Sequence, residues 1–77
     1  MIMETKRLVE VYKYADKKAK FLYEEGYRVS WNGRPTKQLR AIINNYCKKD
    51  GFNGVEIQLI TGRIAIVMFD LEKQMYR

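Results

Sequence analysis

Between residues 4 and 25 the chain divides between two faces of a helix, and no other stretch restricts its folding as much. Leu8, Val11, Tyr12, Ala15, Ala19, Leu22 and Tyr23 recur at spacings of three and four, the pattern of a core-facing stripe. Lys6, Lys13, Lys17 and Lys20 fall on the opposite side. Tyr14 and Phe21 lie along the edge between those lysines and the pair Arg7 and Lys18. A cationic ridge with rings beside it suits a polyanion carrying flat bases.

The rest of the chain limits what such a helix can pack against. With 77 residues there is room for a single small domain, here residues 1–77. A fold of this size hides only about 60% of the surface its unfolded chain exposes, so burial alone gives thin stability. Cys47 is the only cysteine and there is no histidine, which excludes an internal disulfide and leaves no tetrahedral set of N/S ligands for zinc. No metal or other cofactor is expected. The remaining route to extra stability is a partner or a second copy.

An apolar fraction of 47% argues against disorder even at a net charge of +6. No apolar run approaches the ~20 residues that span a bilayer, so no membrane partner is expected. The opening Met-Ile-Met-Glu turns charged at once, unlike the apolar core of a signal peptide. With a lone cysteine, this points to a reducing cytoplasm. The richness in Lys, Ile, Tyr and Asn, with a single proline, fits an AT-rich genome such as those of many virulent phages and some bacteria.

Along the chain, Gly26 offers a left-handed end to the first helix. Tyr27, Val29 and Trp31 alternate with polar residues as in a half-buried strand, with Trp31 read as a core anchor in preference to a stacking platform. The breaker cluster 32–35 precedes a second helix, with Thr36 as cap or Pro35 in the first turn, running to about Lys49. Leu39, Ile42, Ile43, Tyr46 and Cys47 form its apolar stripe; Lys37, Arg40, Asn44 and Lys48 lie opposite.

Residues 55–60 alternate again, Thr61-Gly62 suggests a hairpin turn, and residues 64–69 are apolar throughout, as in a central strand buried on both faces. Asp70 would cap a short helical turn to Gln74, with residues 75–77 fraying. The expected fold is therefore α+β: two helices packed on one face of a three-stranded, mostly antiparallel sheet, in the order α-β-α-β-β.

Helices on one side of such a sheet would turn their basic faces outward together. The candidate nucleic-acid contacts are Lys6, Lys13, Tyr14, Lys17, Lys20, Phe21, Arg34, Lys37, Arg40 and Lys48. Arg34 and Lys37 flank a glycine at a helix start, a setting that suits phosphate, although neither a P-loop nor a G-x-x-G motif is present. The plainer readings are a solvated lysine face, an ordinary turn, and rings packed against the C-terminal segment.

The uncovered face of the sheet would place Ala65, Val67 and Phe69, or the alternate set Ile64, Ile66 and Met68, in a homodimer or partner interface. Cys47 reads as core filling, because no histidine is present to act as a base for it. The nine carboxylates are scattered, which argues against catalysis. The functional expectation is a basic, non-enzymatic protein binding RNA or single-stranded nucleic acid through cationic helix faces. The alternative is a protein-binding inhibitor or antitoxin-like module, phage-encoded for example, that blocks a host enzyme directly or through RNA.

Overall fold

The computed structural model describes residues 4–75, and these form three helices: α1 (Thr5–Glu24), α2 (Lys37–Lys49) and α3 (Gly54–Met75). The expectations about the first three residues and about fraying at Tyr76 and Arg77 fall outside that range, whereas Met75, also expected to fray, is the last residue of α3.

The first two helices form where the periodicity places them. Val11, Ala15, Ala19 and Leu22 of α1 are fully buried, as are Ile43 and Cys47 of α2. Gly26, at φ 101°, takes the left-handed conformation that closes α1. The Thr36 hydroxyl accepts the Leu39 backbone N–H at 3.1 Å and so caps α2.

The sheet is absent. The described residues contain no strand, and residues 55–60, 61–62 and 63–69 all belong to α3. The α+β expectation is corrected to an all-helical fold. Asn53 and Glu56 explain the start of this helix. The Asn53 side-chain oxygen accepts the Glu56 N–H, and the Glu56 carboxylate accepts the Asn53 N–H, each at 2.9 Å. This reciprocal pair is a capping box.

Downstream, Ile57, Ile60, Ile64 and Met68 recur at three and four residues and are buried, with Ala65 beside them. The run 64–69 is apolar throughout although it is buried only in part: Ile64, Ala65 and Met68 are in the core, Val67 and Phe69 are half-buried, and Ile66 is 57% exposed. Helix α3 lies close along α1, packs against α2, and meets the 25–36 connection at its far end. Because exposed positions such as Val55 and Ile66 are apolar too, the polar stripe that would identify a helix is interrupted. Thr61 is accommodated mid-helix by donating its hydroxyl to the Ile57 carbonyl at 2.8 Å. Asp70 starts no new turn, since α3 continues through it.

Loss of the sheet also removes the proposed interface. Ala65 is in the core, and Val67 and Phe69 are half-buried against it. The one alternating segment that stays extended, residues 27–30, has no strand to pair with. Val29 enters the core, and its N–H donates to the Glu72 carboxylate at 3.2 Å. Trp31 is 90% exposed, the reverse of a core anchor.

Helices α1 and α3 run parallel, with α2 antiparallel to both. Arg7 meets Glu56 at the starts of α1 and α3, and Asp16 meets Arg63 midway. Phe21, late in α1, meets Tyr46, while Tyr14 further back meets Asp50 at the end of α2. Ala15 and Ala19 let α1 approach α3 closely, whereas α1 and α2 join through large side chains.

Candidate nucleic-acid interface

The cations separate according to what they touch. Arg7 and Arg63 are structural: Arg7 pairs with Glu10 and Glu56, and Arg63 pairs with Asp16 at 2.8 Å. The Arg7 fork holds the Glu56 carboxyl below the usual glutamate range, with the Asn53 N–H adding to the effect. Asp16 raises the Arg63 guanidinium in turn. No lysine makes an ion pair among the described residues.

Lys6, Lys13, Lys17 and Lys20 are all exposed. They stand on α1 opposite the buried Ala15 and Ala19, with the four-residue step from Lys13 to Lys17 rising about 6 Å. Lys18 belongs to a different environment. Its ammonium lies 4.4 Å from the Tyr46 ring centroid and 5.3 Å from those of both Tyr14 and Phe21.

Those rings form the seam between α1 and α2. Tyr14 packs on Phe52 with centroids 4.6 Å apart and donates its hydroxyl to Asp50. Burial, reinforced by Asp50, pushes the Tyr14 hydroxyl well above the ordinary tyrosine range. Phe21 meets Tyr46 edge-on at 6.0 Å. Tyr14 is therefore engaged against Asp50 and the segment after α2, and Phe21, though 40% exposed, has one edge of its ring against Tyr46 of α2.

On α2, Arg40, Asn44 and Lys48 form one wall of an open groove whose other wall is Gln58, Thr61 and Gly62 of α3. No residue of α1 lines this groove. The basic stripes of α1 and α2 are thus two tracks on different sides of the aromatic seam, where the sequence suggested one field. Lys37, also exposed, begins the α2 track.

The glycine turn before α2 is folded on itself. The Gly33 N–H donates to the Ser30 carbonyl at 2.8 Å, and the Arg34 N–H donates to the Ser30 hydroxyl at 3.1 Å and the Asn32 side chain at 3.2 Å. With Thr36 taking the Leu39 N–H, few backbone donors are left to cradle a phosphate. What this turn offers is the exposed Arg34 and Lys37 side chains.

Sequence reasoning missed Trp31 as a surface residue. The signal was present in its company: Ser30, Asn32, Gly33 and Arg34 make a turn, and a turn tip points outward. Cys47 is buried as expected, and burial pushes its thiol up to about 11. Among the described residues no cluster of acidic or sulfur side chains could hold a metal ion, and no helix is long and apolar enough to cross a membrane. Compared with protein-family models, curated proteins and solved structures, the chain matches none.

Proposed function

We propose that this protein binds RNA or single-stranded nucleic acid without catalysis, in the cytoplasm, through two cationic tracks. The first is Lys13, Lys17 and Lys20 of α1; the second is Lys37, Arg40 and Lys48 at the α2–α3 groove. The observation that carries this reading is the division of labour among the charges. Glu10, Asp16 and Glu56 are taken by arginines, while the outward lysines of α1 have no ionic partner among the described residues.

Such lysines hold mobile point charges that can follow a flexible phosphate backbone, and binding of this kind carries little sequence preference. A labelled oligouridylate titrated by fluorescence anisotropy tests the proposal. Binding should be tighter than to an unrelated folded protein of the same net charge at equal ionic strength. Equal binding would refute it.

A second reading, a protein-binding inhibitor or antitoxin-like module, is favoured by the large apolar side chains left exposed on α1 and α3: Val9, Tyr12, Phe21, Val55 and Ile66. Capture from a host lysate with and without ribonuclease separates the two. A partner lost after ribonuclease is bridged by RNA, and one retained is held by protein contact.

A further inference from the structure

Trp31 is the only tryptophan of the chain and is 90% exposed. Its exposure is built in. Residues 30–34 close on themselves: the Ser30 N–H donates to the Arg34 carbonyl at 2.9 Å, and the Ser30 hydroxyl is 2.8 Å from that carbonyl. Gly33, at φ 81°, seats the loop directly on the Phe69 ring, where even a Cβ would come within 3.3 Å. The indole therefore stands on a short, hydrogen-bonded loop anchored to α3, and little loop entropy remains to be lost when it is covered.

The surroundings indicate what covers it. Arg28, Asn32 and Arg34 are exposed around it, and the other large exposed apolar side chains lie on the helices. The Arg28 guanidinium is fixed 4.2 Å from the Tyr23 ring centroid and donates to two carbonyls, whereas the Arg34 side chain has no ionic partner among the described residues. A single exposed ring on a polar loop, with the other large exposed apolar side chains on the helices, makes a poor plug for a protein pocket. It makes a good platform for an unpaired base whose phosphate meets Arg34. The loop also joins the Lys20 end of α1 to the Lys37 start of α2, between the two cationic tracks.

We propose that Trp31 is a base-stacking finger for an unpaired nucleotide, with Arg34 contacting the adjoining phosphate, an assignment that rests on the nucleic-acid reading above. Because the indole is unique, its fluorescence reports this contact alone. Labelled oligouridylate and inorganic polyphosphate, which carries charge but no bases, should be titrated into the wild type, Trp31→Ala and Trp31→Phe. Circular dichroism should first show that all three share one helical content.

The expected result is quenching of Trp31 by oligouridylate and none by polyphosphate. Trp31→Ala should weaken oligouridylate binding roughly 5- to 150-fold while leaving polyphosphate binding unchanged, and Trp31→Phe should recover most of the loss. Unquenched Trp31 together with unaltered oligouridylate affinity in Trp31→Ala would overturn the stacking assignment. It would leave the nucleic-acid reading standing and the indole free for a protein partner. Absence of oligouridylate binding in the wild type would overturn both.

Discussion

Arg7 in the first turn of α1 grips Glu56 in the first turn of α3 with two arms of its guanidinium. Its Nη2 lies 3.0 Å from Oε1, while Nε donates to Oε2. The same carboxylate closes the capping box with Asn53, so one side chain, only 4% exposed, both starts α3 and fixes its register on α1. Glu56→Gln should lower the melting temperature at pH 7. Because the folded pKa of Glu56 lies below its unfolded value, the charged carboxylate stabilises fully above about pH 4.5, and this contribution is lost as pH falls through the folded pKa. The gap between wild type and variant should therefore stay constant at neutral pH and close in acid. Parallel acid-unfolding curves would contradict this role.

Gly62 lies in the middle of α3 with open space where a Cβ would sit. Gly62→Ala should stabilise the protein by about 1 kcal/mol, because glycine in a helix interior carries that entropic penalty relative to alanine. A hairpin turn at 61–62, where glycine takes backbone angles unfavourable to alanine, would give destabilisation. Urea unfolding followed by circular dichroism gives the sign.

The capping box and the glycine show why half of this fold was hard to read. For α1 and α2 the polar and apolar faces are distinct, and both helices were legible along most of their stripes and at Gly26 and Thr36, although Tyr12, read as core-facing, is exposed. Helix α3 is apolar around most of its circumference, and a short apolar run is ambiguous between helix and buried strand. Asn53-Gly54-Val55-Glu56 carried the deciding signal, since an Asn three residues before a Glu marks a helix start. The Tyr27–Val29–Trp31 alternation misled for a related reason. It is the pattern of a strand, but Val29 enters the core with Tyr27 half-buried against it while Trp31 stays outside, and without a pairing partner the segment remains a connection. The lysine ridge was legible residue by residue. Its separation from the α2 track was not, because that depends on how α2 packs against α3.

Tyr14 and Phe21 hold α1 to α2 through Phe52, Tyr46 and the ammonium of Lys18. Phe21→Ala should cost about 1 kcal/mol, in the range of an aromatic pair, and appear as a lower melting temperature. Affinity for oligouridylate, measured well below that temperature, should not change. A selective loss of affinity in a variant of unaltered stability would place this ring on the bases instead.

Cys47 fills space among the core side chains. Cys47→Ala should cost about 1 kcal/mol with no effect on binding. With its thiol raised to about 11, only about a thousandth is thiolate at pH 8, so alkylation of the folded protein should be slow and should accelerate on unfolding. Rapid labelling of the native protein would reopen a chemical role for this residue.

The salt dependence of oligouridylate binding tests the central claim most directly. Each phosphate contact with a single strand contributes about −0.7 to the slope of log K against log salt, so four or five engaged cations give a slope near −3. Replacing Lys13, Lys17 and Lys20 together by Gln keeps good helix formers at exposed positions, so the melting temperature should barely move. The slope should become shallower by about 2. A triple variant that binds as tightly as the wild type at every salt concentration, with the same slope, would contradict the account.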